Sequence, residues 1–301
     1  MKILVTGGTV FVSKYIAEFF ALKGHEVYVL NRNTKPQLDC VKLIECDRGD
    51  IGDKLKNQRF DAVIDVTAYT AEDIDNLLDG LESFDSYVMI STSAVYPETL
   101  KMPFKEGDKL GANIFWGDYG VNKIAAENAL LNRVPDAYIL RPCYIYGEYN
   151  NLYREAFVFD CAERNLPFYV PQDGSMPLQF IHICDICRLI EILLNEKPEQ
   201  RIYNVGDKAI TITEWVKACY RAAGKIAELI NVMDGTKQHK YFPFMNYGYV
   251  LDVTEQNKLL PDHLPLYEGL RRSYNWYKNN RDCVKKRKFF EFIEQNFKNQ
   301  P

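Results

Sequence analysis

The chain has 301 residues, and its 47% of hydrophobic and 26% of charged residues are typical of a globular protein, which excludes intrinsic disorder. The formal net charge of -4 offers no overall basic surface for nucleic acid. One basic run, Lys285–Lys288, is the exception, and we interpret it as the solvated face of a helix. The sequence therefore favours a protein without a nucleic-acid partner.

Membrane and metal partners are not expected either. No apolar run approaches the ~20 residues that a membrane helix needs, and we see no signal-peptide pattern at the amino terminus. Eight cysteines are present, and the pair Cys184 and Cys187 has no second pair at metal-ligand spacing. We expect buried free thiols, no metal site and a reducing, cytoplasmic location.

Short β-branched runs alternate with amphipathic stretches through the first half of the chain. This pattern is typical of a parallel sheet with helices on both faces. Strands are predicted at Lys2–Thr6, Glu26–Asn31, Val41–Cys46, Ala62–Val66, Tyr87–Ser91 and Ala137–Arg141. Helices are predicted at Phe11–Lys23, Ala71–Leu81 and Tyr119–Leu131. Right-handed crossovers would join these elements into a doubly wound parallel sheet of the Rossmann type.

The pattern becomes irregular after Gly147, where prolines and glycines follow in close succession. We expect a smaller C-terminal lobe, with strands at Phe180–Ile183 and Arg201–Val205, a helix at Ile186–Leu194 and amphipathic helices in 266–297. The predicted division assigns residues 1–150 and about 181–205 to a dinucleotide-binding domain. It assigns about 151–180 and 206–301 to the smaller substrate lobe.

A glycine-rich turn, Thr6-Gly7-Gly8, joins the first predicted strand to the first predicted helix. A helix that begins after such a turn offers free backbone N–H groups and a positive dipole end to a pyrophosphate. Gly7 and Gly8 allow the tight turn and a close approach of the backbone. The alternative is a plain strand-to-helix turn that binds no ligand.

The end of the second strand bears on the choice of cofactor. NAD-binding domains usually place a carboxylate here, which accepts a hydrogen bond from the ribose 2′-OH. This chain has Asn31 and Arg32 instead, and Arg32 offers a cation where a 2′-phosphate would lie, which favours NADP over NAD. An exposed loop arginine is the alternative. Asp47, after the third strand, could hydrogen-bond the adenine amine or simply begin a turn.

Tyr119 and Lys123 are four residues apart and share one face of the third predicted helix. An ammonium near a phenol favours the phenolate, so Lys123 would lower the pKa of Tyr119 and allow acid–base chemistry near neutral pH. Tyr274 and Lys278 have the same spacing but lie in the tail, where we expect packing. One of the hydroxyls of Ser91, Thr92 and Ser93, at the end of the fifth strand, could hydrogen-bond a substrate oxygen, or these residues could merely cap the strand end.

Four motifs stand out in chain order: the glycine turn, the stretch Ser91–Tyr96, the Tyr119–Lys123 pair and the later Phe180-Ile181-His182. Together they resemble the motifs of the extended short-chain dehydrogenase/reductases, the NAD-dependent epimerase/dehydratases. The resemblance implies Thr92 as active-site hydroxyl, Tyr119 as acid/base and Lys123 as its partner. It also implies further cofactor contacts at Gly7, Gly8, Phe11, Val12 and Tyr144. Members of the family often dimerise through the tyrosine helix and its neighbour, so a homodimer is a further expectation.

Departures from the family pattern refine the expected activity. Val10 and Ser13 occupy positions where glycines are usual, which places the chain among atypical members. Ser93 and Ala94 follow Thr92 and would contact the substrate, whereas 4,6-dehydratases carry an acid pair there, and this difference argues against dehydration. Leu178 stands where nucleotide-sugar enzymes tend to have an arginine, and Arg154 could supply that charge from another loop.

The sequence thus predicts an NAD(P)-dependent epimerase or oxidoreductase that transfers hydride at a secondary alcohol of a small sugar-like or nucleotide-sugar-like substrate. The alternative is a non-catalytic NAD(P)-binding protein of the same fold with a regulatory or RNA-associated role. Retention of Thr92, Tyr119 and Lys123 together disfavours this alternative, because a binding module has no use for all three.

Overall fold

A computed structural model of the chain describes residues 1–297, and residues 298–301, the end of the predicted substrate lobe, lie outside the described part. Its strands are β1 Lys2–Thr6, β2 Glu26–Asn31, β3 Lys42–Glu45, β4 Arg59–Asp65, β5 Ser83–Ile90, β6 Tyr138–Pro142, β7 Tyr144–Tyr146, β8 Phe168–Pro171, β9 Pro177–Leu178, β10 Phe180–His182, β11 Ile202–Val205, β12 Ile210–Thr211 and β13 Leu229–Val232. Its α-helices are α1 Phe11–Leu22, α2 Ala71–Gly80, α3 Asp118–Arg133, α4 Glu155–Glu163, α5 Ile183–Glu196, α6 Ile212–Ala222, α7 Thr254–Leu259, α8 Leu266–Asn279 and α9 Phe289–Asn296.

Seven parallel strands form the central sheet, in the order β11-β6-β5-β4-β1-β2-β3. The chain builds this sheet outward from β1, first through β2 and β3 and then, on the other side, through β4, β5, β6 and β11. The strand order therefore reverses between β1 and β4, which is where ligands bind in doubly wound sheets. The predicted Rossmann-type fold class is confirmed. Three two-stranded sheets, β10-β7, β12-β9 and β13-β8, lie outside the central sheet.

Helices cover both faces of the central sheet, and the strand side chains alternate between two buried cores. In β1, Ile3 and Val5 pack into the core that contains Phe20 of α1, whereas Leu4 packs into the core that contains Leu77 of α2. Side chains of a strand point alternately to opposite faces, so a strand buried on both sides must be apolar throughout. This requirement explains why β1 reads as a continuous apolar run.

Two strands extend further than the apolar pattern suggested. β4 begins at Arg59 rather than Ala62, and β5 begins at Ser83 rather than Tyr87. The backbone ladder continues into these polar ends, where Arg59 pairs with Ser83 in register. Hydrogen bonding along a strand does not depend on side-chain polarity, so hydropathy alone underestimated both lengths.

The basic run Lys285–Lys288 corrects a prediction, because it is not a helix face. It lies just before α9, and residue Lys285 forms an isolated parallel bridge with Leu152. The backbone N–H of Lys285 donates to the carbonyl of Asn151 over 2.9 Å. Pairing with a distant loop holds this segment in an extended form, and local charge patterning could not reveal that partner.

The turn between β1 and α1 depends on two glycines in an uncommon conformation. Gly7 and Gly8 both have a φ of +93°, which side chains rarely tolerate. A β-carbon on Gly8 would lie 2.4 Å from Cγ1 of Val29, inside the sheet-facing core. Close packing of the turn against β2 therefore requires glycine at this position.

We predict that Gly8→Ala lowers the free energy of unfolding by roughly 2–5 kcal/mol, because the substitution adds both backbone strain and overlap with Val29. The midpoint of urea denaturation measures this loss. Gly24→Ala is the matched control, since Gly24 has a φ of +83° and no atom within 4 Å of the added carbon. Equal losses in the two variants would contradict the packing argument.

Candidate functional site

A groove follows the carboxyl ends of the central strands. One part, of about 400 Å³, lies beside β2 and β3, and the other, of about 300 Å³, lies between α1 and α3. Val10, Thr67 and Tyr69 line both parts, so they form one continuous depression, here named the sheet-edge groove. It passes over the point where the strand order reverses.

The part beside β2 and β3 contains four of the predicted cofactor residues: Gly7, Asn31, Arg32 and Asp47. The amide of Asn31 donates to the carbonyl of Gly7 over 2.7 Å and so ties the end of β2 to the glycine turn. Arg32 and Asp47 are exposed, with the guanidinium 3.9 Å from the carboxylate. Arg32 is thus available to a ligand in this part of the groove.

The part between α1 and α3 is lined by the predicted residues Phe11, Val12, Tyr119 and Lys123. Thr92 lies close to them, since its side chain acts on the pKa of the Tyr119 phenol. The Thr92 hydroxyl also accepts the backbone N–H of Ala94 over 3.1 Å. The structure therefore brings the three proposed catalytic residues together at one end of the groove.

Lys123 is only 2% exposed, and its ammonium has defined protein partners. It donates to the carbonyls of Ala68, at 2.6 Å, and Ile90, at 2.9 Å. It also lies 5.0 Å from the ring centre of Tyr69, a favourable cation–π distance. Burial of the ammonium lowers the pKa of Lys123 to about 8, although the charge of Asp65 acts in the opposite direction.

The electrostatics of Tyr119 differ from the prediction. The sequence predicts that Lys123 lowers the pKa of Tyr119, but the pKa of this phenol is raised in the structure. Burial of the phenol is the largest cause, although the residue as a whole is 41% exposed, and the side chain of Thr92 and the charge of Arg154 oppose the shift. The ammonium of Lys123 is directed to backbone carbonyls, so helical spacing alone does not produce the expected shift.

A buried ionic cluster beneath the groove was missed by sequence reasoning. Asp65, at the end of β4, accepts two hydrogen bonds from Arg48, at 2.7 and 2.6 Å, and one from Thr6 at 2.7 Å. The hydroxyl of Tyr87 also donates to Asp65, over 2.5 Å. Burial tends to raise the pKa of Asp65, but the adjacent guanidinium and these donors hold it below its usual range. An aspartate directly after the apolar run Ala62–Ile64 was the available signal, because buried carboxylates require partners.

A second depression, here named the C-terminal cleft, has a volume of about 390 Å³. Its walls combine aromatic, aliphatic and basic side chains: Trp116, Tyr144, Leu152, Tyr153, Arg154, His239, Pro243, Phe244, Met245, Lys285, Lys286 and Arg287. Tyr144, which the resemblance implies to lie beside the nicotinamide, is among the residues that line this cleft, and its neighbour Ile145 lines the sheet-edge groove. Arg154 stacks over Tyr144, 4.9 Å from the ring centre.

Ser93 and Ala94, the predicted substrate contacts, are buried in the structure. The hydroxyl of Ser93 donates to that of Tyr249 over 2.8 Å, so it is already paired within the protein. The carbonyl of Ala94 lies against Gly120 at the start of α3, where an added β-carbon would have no room. In this structure both residues therefore serve to pack the loop that carries Thr92 onto its neighbours.

Residues 1–297 contain neither a cluster that could bind a metal nor a membrane-spanning helix. No group of three or more histidine, cysteine, aspartate or glutamate residues in this part of the chain could hold a metal ion. None of the helices described there combines the length and apolar character that crossing a membrane requires.

Comparison with known proteins agrees with this architecture. Residues 3–206 match the model of the NAD dependent epimerase/dehydratase family. The chain belongs to this family.

A stem-loop binding protein of 41 kDa from the chloroplast of Arabidopsis thaliana is 27% identical, over 91% of this chain and 78% of its own. A putative UDP-glucose 4-epimerase of Methanocaldococcus jannaschii is 26% identical, over 92% and 99%. The crystal structure of UDP-glucuronic acid 4-epimerase from Bacillus cereus, in complex with UDP-glucuronic acid and NAD, has the same fold, with a TM-score of 0.71 at 18% identity over 93% and 99%.

The turn in this epimerase/dehydratase family member fits a dinucleotide. Val10 is the N-cap of α1 and makes no side-chain capping hydrogen bond, so the N–H groups of the first helical turn are not satisfied by a cap. A β-carbon on Gly7 would lie 2.7 Å from the hydroxyl of Ser13 and 3.2 Å from a methyl of Thr67, so the turn is closed to larger residues. Uncapped N–H groups at a helix N-terminus are a suitable site for phosphate.

The lowered pKa of Lys123 predicts a dependence of stability on pH. An unfolded lysine titrates near 10.5 and the folded residue near 8, so the unfolded chain holds the extra proton between these values and stability rises with pH across that window. Relative to Lys123→Met, the wild type should gain about 3 kcal/mol between pH 8 and 10.5. Urea denaturation at several pH values measures the gain. The exposed residue Lys101 provides the control Lys101→Met, and a pH-independent difference between wild type and Lys123→Met would contradict the prediction.

Proposed function

We propose that this protein is an NAD(P)-dependent epimerase or reductase that acts by hydride transfer at a secondary alcohol of a sugar or nucleotide-sugar-like substrate. The observation that supports it most is the placement of Thr92, Tyr119 and Lys123 at one end of a groove whose other end contains the glycine turn. A dinucleotide with its phosphates at the turn would extend along this groove toward the phenol. The names of epimerase relatives support the sugar substrate.

Each of the three side chains has a distinct role in this proposal. The bound nicotinamide supplies or accepts the hydride. In oxidation Tyr119 acts as the phenolate and takes the proton of the substrate hydroxyl, and in reduction the phenol returns this proton. Thr92, whose side chain acts on this phenol, donates to the substrate oxygen as charge develops on it. Lys123 uses two of its three N–H groups on carbonyls and keeps one for the nicotinamide ribose.

Epimerisation or reduction is preferred over 4,6-dehydration, because Ser93 and Ala94 follow Thr92 and neither can supply the acid that expels a hydroxyl. The proposal assigns 1–150 and about 181–205 to cofactor binding, and about 151–180 and 206–301 to substrate binding. A homodimer formed through α2 and α3 and a cytoplasmic location belong to the same proposal.

We predict that Tyr119→Phe lowers the turnover number by about 10²–10⁴-fold while NAD binding is unchanged, because the ring remains and only the proton donor is lost. Turnover of whichever nucleotide sugar the wild type converts, screened with UDP-glucose and UDP-glucuronic acid, provides the measurement. Tyr274→Phe is the matched control, since Tyr274 has the same spacing to Lys278 but its hydroxyl donates to Glu163. Unaltered turnover in Tyr119→Phe would refute the assigned chemistry.

The exposed guanidinium of Arg32 predicts a preference for NADP. Arg32→Ala should raise the dissociation constant of NADP about tenfold or more, because a charge-assisted contact to the 2′-phosphate is lost, and should leave that of NAD within about twofold. Calorimetric titration with both cofactors measures the two constants. Arg59→Ala, which removes an exposed arginine paired with Asp85 at the opposite end of β4, is the control. Equal losses for both cofactors would exclude the 2′-phosphate contact.

A second candidate is a non-catalytic, RNA-associated protein, and the name of the stem-loop binding relative favours it. The exposed basic segment Lys285–Lys288 provides a surface for phosphates. Binding of a stem-loop RNA by the wild type, with no hydride exchange on any nucleotide sugar, would support this second function instead of the first.

A further inference from the structure

One side chain of the sheet-edge groove has no role in the chemistry described so far. Tyr69, in the loop between β4 and α2, is 52% exposed and lines both parts of the groove. Val10 and Thr67, which also line both parts, are more deeply buried. The ring of Tyr69 therefore lies on the solvent side of the junction, and a dinucleotide that extends from the glycine turn to Tyr119 has to pass beside it.

The backbone that carries this ring is fixed. The N–H of Tyr69 donates to the carboxylate of Asp73 over 2.8 Å, and Asp73 also belongs to the capping box of α2. The carbonyl of the preceding residue, Ala68, accepts from the ammonium of Lys123 over 2.6 Å. With the main chain held on both sides, the ring changes position only by rotation about its side-chain bonds, and exposed side chains rotate rapidly.

The ring contacts both side chains that the proposed function places beside the nicotinamide. Its centre lies 5.0 Å from the ammonium of Lys123 and 6.4 Å from the ring centre of Tyr119, with the two rings tilted by 49°. Lys123 has three N–H groups, and two of them donate to carbonyls. The face of Tyr69 thus competes with a ribose hydroxyl for this ammonium. A cation–π contact at an exposed ring is weaker than a hydrogen bond from a charged donor, so the hydroxyl displaces the ring.

From these contacts, and resting on the proposed function, we infer that the ring of Tyr69 closes over the bound dinucleotide and retains it in the groove. The ribose takes the free N–H of Lys123, and the displaced ring covers the ribose and shields that hydrogen bond from water. Exclusion of water strengthens a charge-assisted hydrogen bond. Tyr69 is in this sense a residue that positions the cofactor and takes no part in proton transfer.

Retention of the cofactor bears on the choice between the two proposed activities. In epimerisation the hydride that the nicotinamide accepts returns to the same substrate, so one cofactor molecule has to stay bound through both steps. In reduction the oxidised cofactor leaves after each turnover. A ring that slows the release of the cofactor therefore favours epimerisation within the proposed function.

Release of reduced cofactor from the full chain tests this inference. In a stopped-flow experiment, protein loaded with NADH or NADPH is mixed with an excess of NAD or NADP, and the fluorescence of the reduced nicotinamide follows its release. Tyr69→Ala should release the cofactor about 10-fold faster than the wild type, because a lost contact acts mainly on dissociation. Tyr69→Phe should stay within about twofold of the wild type, because the ring and not the hydroxyl contacts Lys123 and Tyr119.

Tyr267→Ala is the matched control. Tyr267 is 40% exposed, and its ring also packs on a cation, with the guanidinium of Arg221 4.3 Å from the ring centre. It lies on α8, none of whose residues lines the sheet-edge groove, so this variant should change the release rate by no more than about twofold. The melting temperature of each variant shows whether it is folded.

The opposite result is expected if Tyr69 merely obstructs the groove. Tyr69→Ala would then bind the cofactor faster and more tightly, and this result would overturn the inference. So would a release rate equal to that of the wild type. Failure of the wild type to bind either cofactor would refute the proposed function together with this inference. Retention that depends on the ring, with unaltered turnover in Tyr119→Phe, would instead refute the chemistry and leave this inference standing.

Discussion

The sheet-edge groove depends on one buried carboxylate, that of Asp65. It lies at the carboxyl end of β4 and is fully satisfied by Arg48, Thr6 and Tyr87. These partners come from β1, from the loop after β3 and from β5, so a single charge ties together the ends of neighbouring strands. The hydroxyl of Thr6 also accepts the backbone N–H groups of Val66 and Thr67, at 2.9 and 3.1 Å. The loop that lines both parts of the groove is fixed in this way.

The same solution recurs in the C-terminal lobe, where Asp160 of α4 is the central carboxylate. Its partners lie on the loop before α4, on α8 and on the segment after α8. Burial tends to raise the pKa of Asp160, but the hydrogen bonds from Lys286 and the two tyrosines lower it. Several donors fix the position of a buried carboxylate, because loss of any one of them leaves part of its charge without a partner. The tail of the chain consequently reaches the rim of a cleft built by much earlier residues.

Burial also shifts the pKa values of the proposed catalytic groups. Lys123 loses solvation, and its pKa falls to about 8, whereas the pKa of Tyr119 rises for the same reason. Desolvation disfavours the charged form of each group, so it moves the ammonium and the phenol in opposite directions. Each shift favours the neutral form of its group, and the charge of Arg154 opposes the shift of Tyr119.

Much of the fold and part of the site could be predicted from the amino-acid sequence. The apolar periodicities predicted the strands of the central sheet and the helices α1, α2, α3 and α5. The positions of Gly7, Arg32 and Tyr119 relative to strand ends predicted which residues meet along the groove. Such features are local, because parallel strands deliver the residues that follow them to a common edge. The tertiary structure decided three other features: the position of the basic residues 285–287, the partners of Asp65 and the direction of the Tyr119 pKa shift. Each depends on groups far apart in the chain, and only folding fixes the distances and the burial that set their energies.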